Sequence, residues 1–268
     1  MKMRVSIVAE SITGWGDGAG SVNVMKITVL GPWGAYPKAG EATAGYLLEY
    51  NNRNLLIDCG SGVLAQLQKI IPLHKLDGVL ISHRHHDHVA DLGCLQYACL
   101  IDTDLGRRKV ELPLYLAEER GRELLYKTLK GTRVRRITAE DRLAEGDLKV
   151  RFFRTYHEAY CVGMIFDHQG KRVVYTADTS YDDTLIKACR DADVLIAETS
   201  FYAQMSDANK YGHMNALEVG KLAAAAGVRK VVLTHLPHFG DIDQLAEEVR
   251  TVFDGDIVTA YCGMVVEV

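Results

Sequence analysis

Short apolar runs rich in Val, Ile, Leu, Tyr and Phe recur along this chain, separated by turn residues and by segments of helical period. Such runs, bounded by Gly, Asp or Asn, predict strands. They are KITVLG, GYLLEY, NLLIDCG, GVLISH, LPLYLA, LKVRFFRTYH, GMIFDH, RVVYTAD, DVLIAET, KVVLTH and IVTAYCGMVVEV. Between them, VLAQLQKII, LGCLQYACLI, ERGRELLYKTLK, TLIKACR, ALEVGKLAAAAG and QLAEEVRTVF carry the pattern of helices. There is no solenoid repeat and no low-complexity linker. Strands outnumber helices, and helices fall at intervals along both halves. Two packed sheets with helices outside account for this better than one doubly wound sheet, so the expected class is α/β, a four-layer αββα sandwich.

Residues 25–268 read as a single domain beginning at the strand MKITVLG. Residues 1–24, polar and Gly-rich through TGWGDGAGSVN, read as a leader or N-terminal extension. The run VSIVA is too short for the core of a signal peptide. No apolar run approaches the ~20 residues of a membrane-spanning helix.

Composition changes the picture little. The chain has 268 residues, of which 48% are hydrophobic and 25% charged, an ordinary globular balance. Its net charge of −4 excludes a surface that attracts nucleic acid everywhere. One local cluster remains, Lys127, Lys130, Arg133, Arg135 and Arg136 in KTLKGTRVRR, either a solvated helix end or a set of phosphate contacts. The six cysteines (Cys59, Cys94, Cys99, Cys161, Cys189, Cys262) form no CxxC pair and read as buried free thiols of a reducing, cytoplasmic compartment.

The chemistry sits at strand ends. Asp58, His83, His157, Asp178 and His235 each close a strand-like run: LLID, VLISH, FRTYH, VVYTAD and VVLTH. Polar groups in these positions converge on one edge of a sheet, where ligand sites form. The segment His83-Arg84-His85-His86-Asp87-His88 places four candidate ligands in six residues directly after a strand. Zinc takes neutral imidazole and carboxylate ligands, and a turn this tight offers side chains to two ions at once.

This HxHxDH spacing resembles the signature of the metallo-β-lactamase superfamily, and the later strand-end residues match its remaining ligand positions across residues 25–268. The resemblance implies that fold and a site holding two Zn²⁺, with Mn²⁺ or Fe²⁺ as alternatives. One ion would be held by His83, His85 and His157 and the other by Asp87, His88 and His235, with Asp178 bridging them. Asp58 would orient the histidines from behind, and Arg84 and His86 would bind no metal. Two ions about 3.5–4 Å apart acidify a shared water and clamp the attacking and leaving oxygens, which makes the site hydrolytic through a bridging hydroxide. Asp87 would help aim that hydroxide.

Two departures narrow the branch. Asp178 stands where some β-lactamases of the superfamily carry a cysteine ligand, and YHEAYCVG around His157 replaces the GHTPGH of glyoxalase II and many lactonases. The order YTADTSY, LIAETSF, GHMNALEVGKLAAAAGVRKVVLTHL is similar to the ribonuclease Z-like phosphodiesterases. That likeness implies a leaving-group acid formed by His213 and Glu198, a substrate that is RNA or a small or cyclic phosphodiester, and a homodimer. It also exposes a difference. In ribonuclease Z a long arm that clamps transfer RNA lies between the third and fourth motifs, whereas His157 and Asp178 are only 178 − 157 = 21 positions apart. A lactone, ester or thioester hydrolase on the same scaffold, and a noncatalytic metal-binding protein, are the alternative readings. His238 falls near the last ligand and reads as a loop or substrate-facing residue. Tyr46, Tyr97 and Tyr160 read as core or rim aromatics.

Overall fold

The computed structural model describes residues 24–268, so the leader read at the N-terminus lies, up to residue 23, outside the described residues. The chain runs β1 (Lys26–Gly31), β2 (Gly45–Tyr50), β3 (Arg53–Ile57), α1 (Val63–Leu67), β4 (Gly78–Ile81), α2 (His86–Val89), α3 (Leu92–Asp104), β5 (Leu112–Ala117) and β6 (Thr132–Ile137). It continues through β7 (Arg142–Glu145), β8 (Leu148–Arg154), β9 (Val162–His168), β10 (Lys171–Tyr175), α4 (Thr184–Cys189), β11 (Val194–Glu198) and α5 (Ala216–Ala226). The last elements are β12 (Lys230–Thr234), α6 (Ile242–Arg250), β13 (Asp256–Thr259) and β14 (Val265–Glu267).

Two seven-stranded sheets result, ordered β14-β1-β2-β3-β4-β5-β6 and β13-β12-β11-β10-β9-β8-β7. Each is half antiparallel and half parallel; β3 to β6 run parallel in the first, β10 to β13 in the second. Side chains alternate across a strand, and here both faces are covered. Tyr46 and Leu48 of β2 enter the layer between the sheets, while Leu47 faces the helices of the first half. Val194 and Ile196 of β11 enter the same central layer, and Leu195 and Ala197 face α5 and its neighbours. The continuous apolar runs of the sequence are strands buried on both sides, and the αββα sandwich expected from them is the fold observed. Among the described residues no helix is long and apolar enough to cross a membrane.

Four local expectations fail. ERGRELLYKTLK is not helical; residues 119–131 form turns and irregular chain. Its backbone groups find tertiary partners: Arg136 donates to the carbonyls of Glu119 and Arg122, and Gln96 donates to that of Lys127. Those partners replace the ladder of a helix. The basic cluster that follows is largely an edge strand, β6, that its alternating arginines hid. IVTAYCGMVVEV divides into β13 and β14, which join different sheets. Four of the six free thiols are buried as expected, but Cys94 is exposed and Cys262 half-buried.

Candidate metal centre

The parallel strands of both sheets end on one edge of the sandwich, and the strand-end residues meet there. Asp58 follows β3, His83 follows β4, His157 follows β8, Asp178 follows β10, Glu198 ends β11 and His235 follows β12. Asp58, Ala177 and His235 have φ of 54°, 51° and 53°, the left-handed region that non-glycine residues rarely enter. Such strain persists only where surrounding structure enforces it. Here it turns the chain sharply off three strands so that the side chains face inward.

The single helical turn α2 carries Asp87 and His88, with His85 at its N-cap position. His86 on the same turn points to solvent. Arg84 pairs instead with the buried Glu118 at the end of β5, at 3.4 Å.

Two groups of ligand atoms form, each lying within 4.8 Å: His83, His85, His157 and Asp178, then Asp87, His88, Asp178 and His235. Asp178 belongs to both. Its Oδ2 lies 3.6 Å from His83 Nε2, 3.7 Å from His157 Nε2 and 3.4 Å from His235 Nε2, and its Oδ1 lies 3.3 Å from His88 Nε2. His157 Nε2 and His85 Nδ1 are 3.0 Å apart, and His235 Nε2 is 3.1 Å from Asp87 Oδ2.

These residues fit divalent cations. Buried polar atoms are nearly always hydrogen-bonded, yet His83 Nε2, His88 Nε2 and Asp178 Oδ1 are buried without a hydrogen-bond partner. All three converge on the same two groups, and imidazole with carboxylate is the donor set of a zinc-type site.

The opposite ring nitrogens are held from behind. Asp58 Oδ2 accepts from His88 Nδ1 at 2.8 Å, from Ser82 Oγ at 2.8 Å and from Tyr175 Oη at 2.8 Å; Ser82 Oγ in turn lies 3.0 Å from His83 Nδ1. His157 Nδ1 donates to the Gly212 carbonyl at 3.0 Å. A proton on Nδ1 in each of these bonds would leave Nε2, on the inward side of the ring, free to bind a cation. The Ala35 N–H donates to Asp87 Oδ2 at 2.9 Å.

Burial and the neighbouring His88 push His83 well below its ordinary value. Burial raises the Asp178 carboxyl, but His235, His88 and His83 outweigh it and hold it well below the carboxylate range.

His213 and Glu198 stand beside the second group. His213 Nδ1 donates to Glu198 Oε1 at 3.0 Å. Burial opposes a charge on His213, but Glu198 overcomes it and raises the imidazole to about 9. The helix cap that follows is Asn215, which forms a capping box with Glu218, so His213 is not itself the cap of α5. Ser200 Oγ lies 2.8 Å from Glu198 Oε2 and 2.8 Å from His235 Nδ1.

Ser82, Ser200, Tyr175, Ala35 and Gly212 escaped the sequence reading. Ser82 precedes His83 and Ser200 lies two residues beyond Glu198, which is the only signal the chain offered. His238 bonds the Gly34 and Tyr36 carbonyls at 3.1 and 2.6 Å and stacks on the exposed Tyr36 with ring centroids 3.6 Å apart. Tyr46 is core and bonds Thr234, Tyr97 is exposed on α3, and Tyr160 lies under the Arg154 guanidinium. In the basic cluster, Lys127, Lys130 and Arg133 form exposed ion pairs with Glu123, Asp104 and Glu111. Arg136 is spent on carbonyls.

A family model described as a β-lactamase superfamily domain matches residues 53–236. The chain is 44% identical to the probable metallo-hydrolase YhfI of Bacillus subtilis, over 91% of this chain and all of the relative. The crystal structure of YhfI superimposes with a TM-score of 0.87 at 41% identity, over 92% of this chain and all of that one. Ribonuclease Z of Haloarcula marismortui is 25% identical over 90% of this chain and 96% of its own. A diphosphatase of the PhnP family shares the fold, with a TM-score of 0.72 at 19% identity over 91% of this chain and 98% of that one.

Proposed function

The chain belongs to the β-lactamase superfamily, and we propose that within it this protein is a phosphodiesterase that uses two divalent ions, zinc foremost, on a small or cyclic phosphodiester or on RNA. One observation carries the reading: Asp178 is shared by two four-ligand groups, with the His213–Glu198 pair at their side. Ribonuclease Z and PhnP-family names among the relatives and fold neighbours agree with phosphodiester or phosphoanhydride chemistry.

Bound divalent ions supply Lewis acidity, polarising a phosphoryl oxygen and acidifying water. The protein's own groups supply the rest. Asp178 offsets the repulsion between two cations. Asp87, fixed by the Ala35 N–H, presents a carboxylate that accepts a hydrogen bond from the attacking water. The attacking water releases one proton to solvent, its oxygen forms the new bond to phosphorus, and the leaving oxygen departs with the electron pair of the broken P–O bond. It takes the proton carried on His213 Nε2, while Nδ1 stays bonded to Glu198. An alkoxide leaving a phosphodiester needs a proton on departure, and the buried imidazole–carboxylate pair is placed to supply one.

The segment between His157 and Asp178 is filled by the β9–β10 hairpin, whose strands pair from Lys171↔His168 to Tyr175↔Met164. It has no room for a transfer-RNA arm, so small substrates are the first expectation. The test is hydrolysis of bis(p-nitrophenyl) phosphate, cyclic nucleotides, a lactone and precursor transfer RNA by the zinc-loaded protein. Turnover of the lactone alone would refute the proposal.

A further inference from the structure

We infer that Ser200 is a positioning residue that ties the metal ligand His235 to the same carboxylate that holds the leaving-group acid His213. The inference rests on the two-metal reading and deepens it. A hydroxyl has one proton to give, and a carboxylate only accepts. Ser200 Oγ lies 2.8 Å from Glu198 Oε2, so its proton goes there, and the oxygen's lone pairs face His235 Nδ1 at 2.8 Å. His235 therefore carries its proton on Nδ1. Its Nε2, 3.1 Å from Asp87 Oδ2 and 3.4 Å from Asp178 Oδ2, is left free to bind a cation. Without Ser200, a ring that is almost fully buried loses the partner that selects its tautomer and angle.

The same device occurs on the opposite wall. Asp58 takes His88 directly and His83 through Ser82. Glu198 takes His213 directly and His235 through Ser200. The two differ in one respect. Both histidines behind Asp58 are candidate ligands, whereas His213 stands outside the two four-ligand groups. Glu198 thus serves metal holding and proton donation together. Glu198, His213 and His235 also form a compact cluster of their own, but Glu198 and both Nδ1 atoms are engaged in these hydrogen bonds, so the cluster is a relay and not a third cation site.

The experiment is competitive chelator titration of zinc, with elemental analysis, on the full chain and on Ser200→Ala, Ser200→Thr and Glu198→Gln. Loss of a partner behind a metal ligand costs about 10–100-fold in affinity. Ser200→Ala is expected to lose that much for one ion and nothing for the other, and Ser200→Thr, which keeps the hydroxyl, to bind as the wild type. Glu198→Gln leaves one acceptor oxygen for the four donors Thr179 N, Ser200 N, Ser200 Oγ and His213 Nδ1, and is expected to weaken the same ion. Wild-type affinity for both ions in Ser200→Ala, or equal loss of both, would overturn the inference. A wild-type protein that holds fewer than two ions would instead overturn the two-metal reading, and the inference with it. Melting curves of the metal-free variants separate a loss of folding from a loss of metal.

Discussion

Gly212 and His157 lie 55 positions apart, yet the Gly212 carbonyl accepts the His157 Nδ1 proton at 3.0 Å. A Cβ on Gly212 would stand 2.7 Å from that same nitrogen, and the residue has φ of 76°. Only glycine allows both the left-handed backbone and the close approach. Gly212→Ala is therefore expected to displace His157 and weaken the ion proposed for His83, His85 and His157. The strain should also lower stability by about 1–3 kcal/mol. Zinc affinity and a denaturant melt, measured together, check both effects; unchanged metal affinity would show that His157 is anchored elsewhere.

Asp178 is the carboxylate common to both groups. Asp178→Ala should reduce zinc toward none and abolish turnover, while the sandwich stays folded because the side chain lies at the strand ends and not between the sheets. Elemental analysis with circular dichroism reads this. A variant that keeps two ions and near-normal rate would move the bridge to another residue.

His213→Ala should slow phosphodiesters with alkoxide leaving groups by about 10²–10⁴, the range of general acid catalysis. Bis(p-nitrophenyl) phosphate releases an anion that needs no proton and should suffer far less. Equal losses on both substrates would remove His213 from proton donation.

Precursor transfer RNA should turn over poorly beside small phosphodiesters, since the β9–β10 hairpin occupies the place of the arm and the Lys127–Arg133 charges are already paired. Charge reversal at Arg133 should leave the salt dependence of RNA binding unaltered. Efficient trailer removal by the purified protein would contradict this.

Away from the site, Arg151 and Arg172 bind Asp167 at 2.7 Å each. Burial raises this carboxyl, but the two arginines outweigh it and leave its value below the ordinary 3.8. The unfolded chain therefore takes up this proton first as pH falls. The stabilisation is present above 3.8 and is lost as pH drops through the lower native value. For this partly exposed group, Asp167→Asn should cost at most about 1 kcal/mol near pH 7 and less near pH 2. Urea melts at the two pH values decide it.

The layers and the ligand types are legible in the residues. Runs such as VVYTAD and VLIAET are apolar throughout because both faces of β10 and β11 are covered, and that is visible without coordinates. His and Asp at strand ends, and the density of HRHHDH, declared a cation site, because no other chemistry needs that many imidazoles and carboxylates together. Tertiary structure alone decided what lies behind them. Ser82 and Ser200 are ordinary serines in the chain, and Gly212 an ordinary glycine; their roles arise from bonds to residues that only folding brings near. The segment 119–131 makes the same point in reverse. Its helical period was real, but Gln96 and Arg136 captured its carbonyls, and partners distant in sequence outweighed a local propensity worth a few tenths of a kcal/mol per residue, roughly.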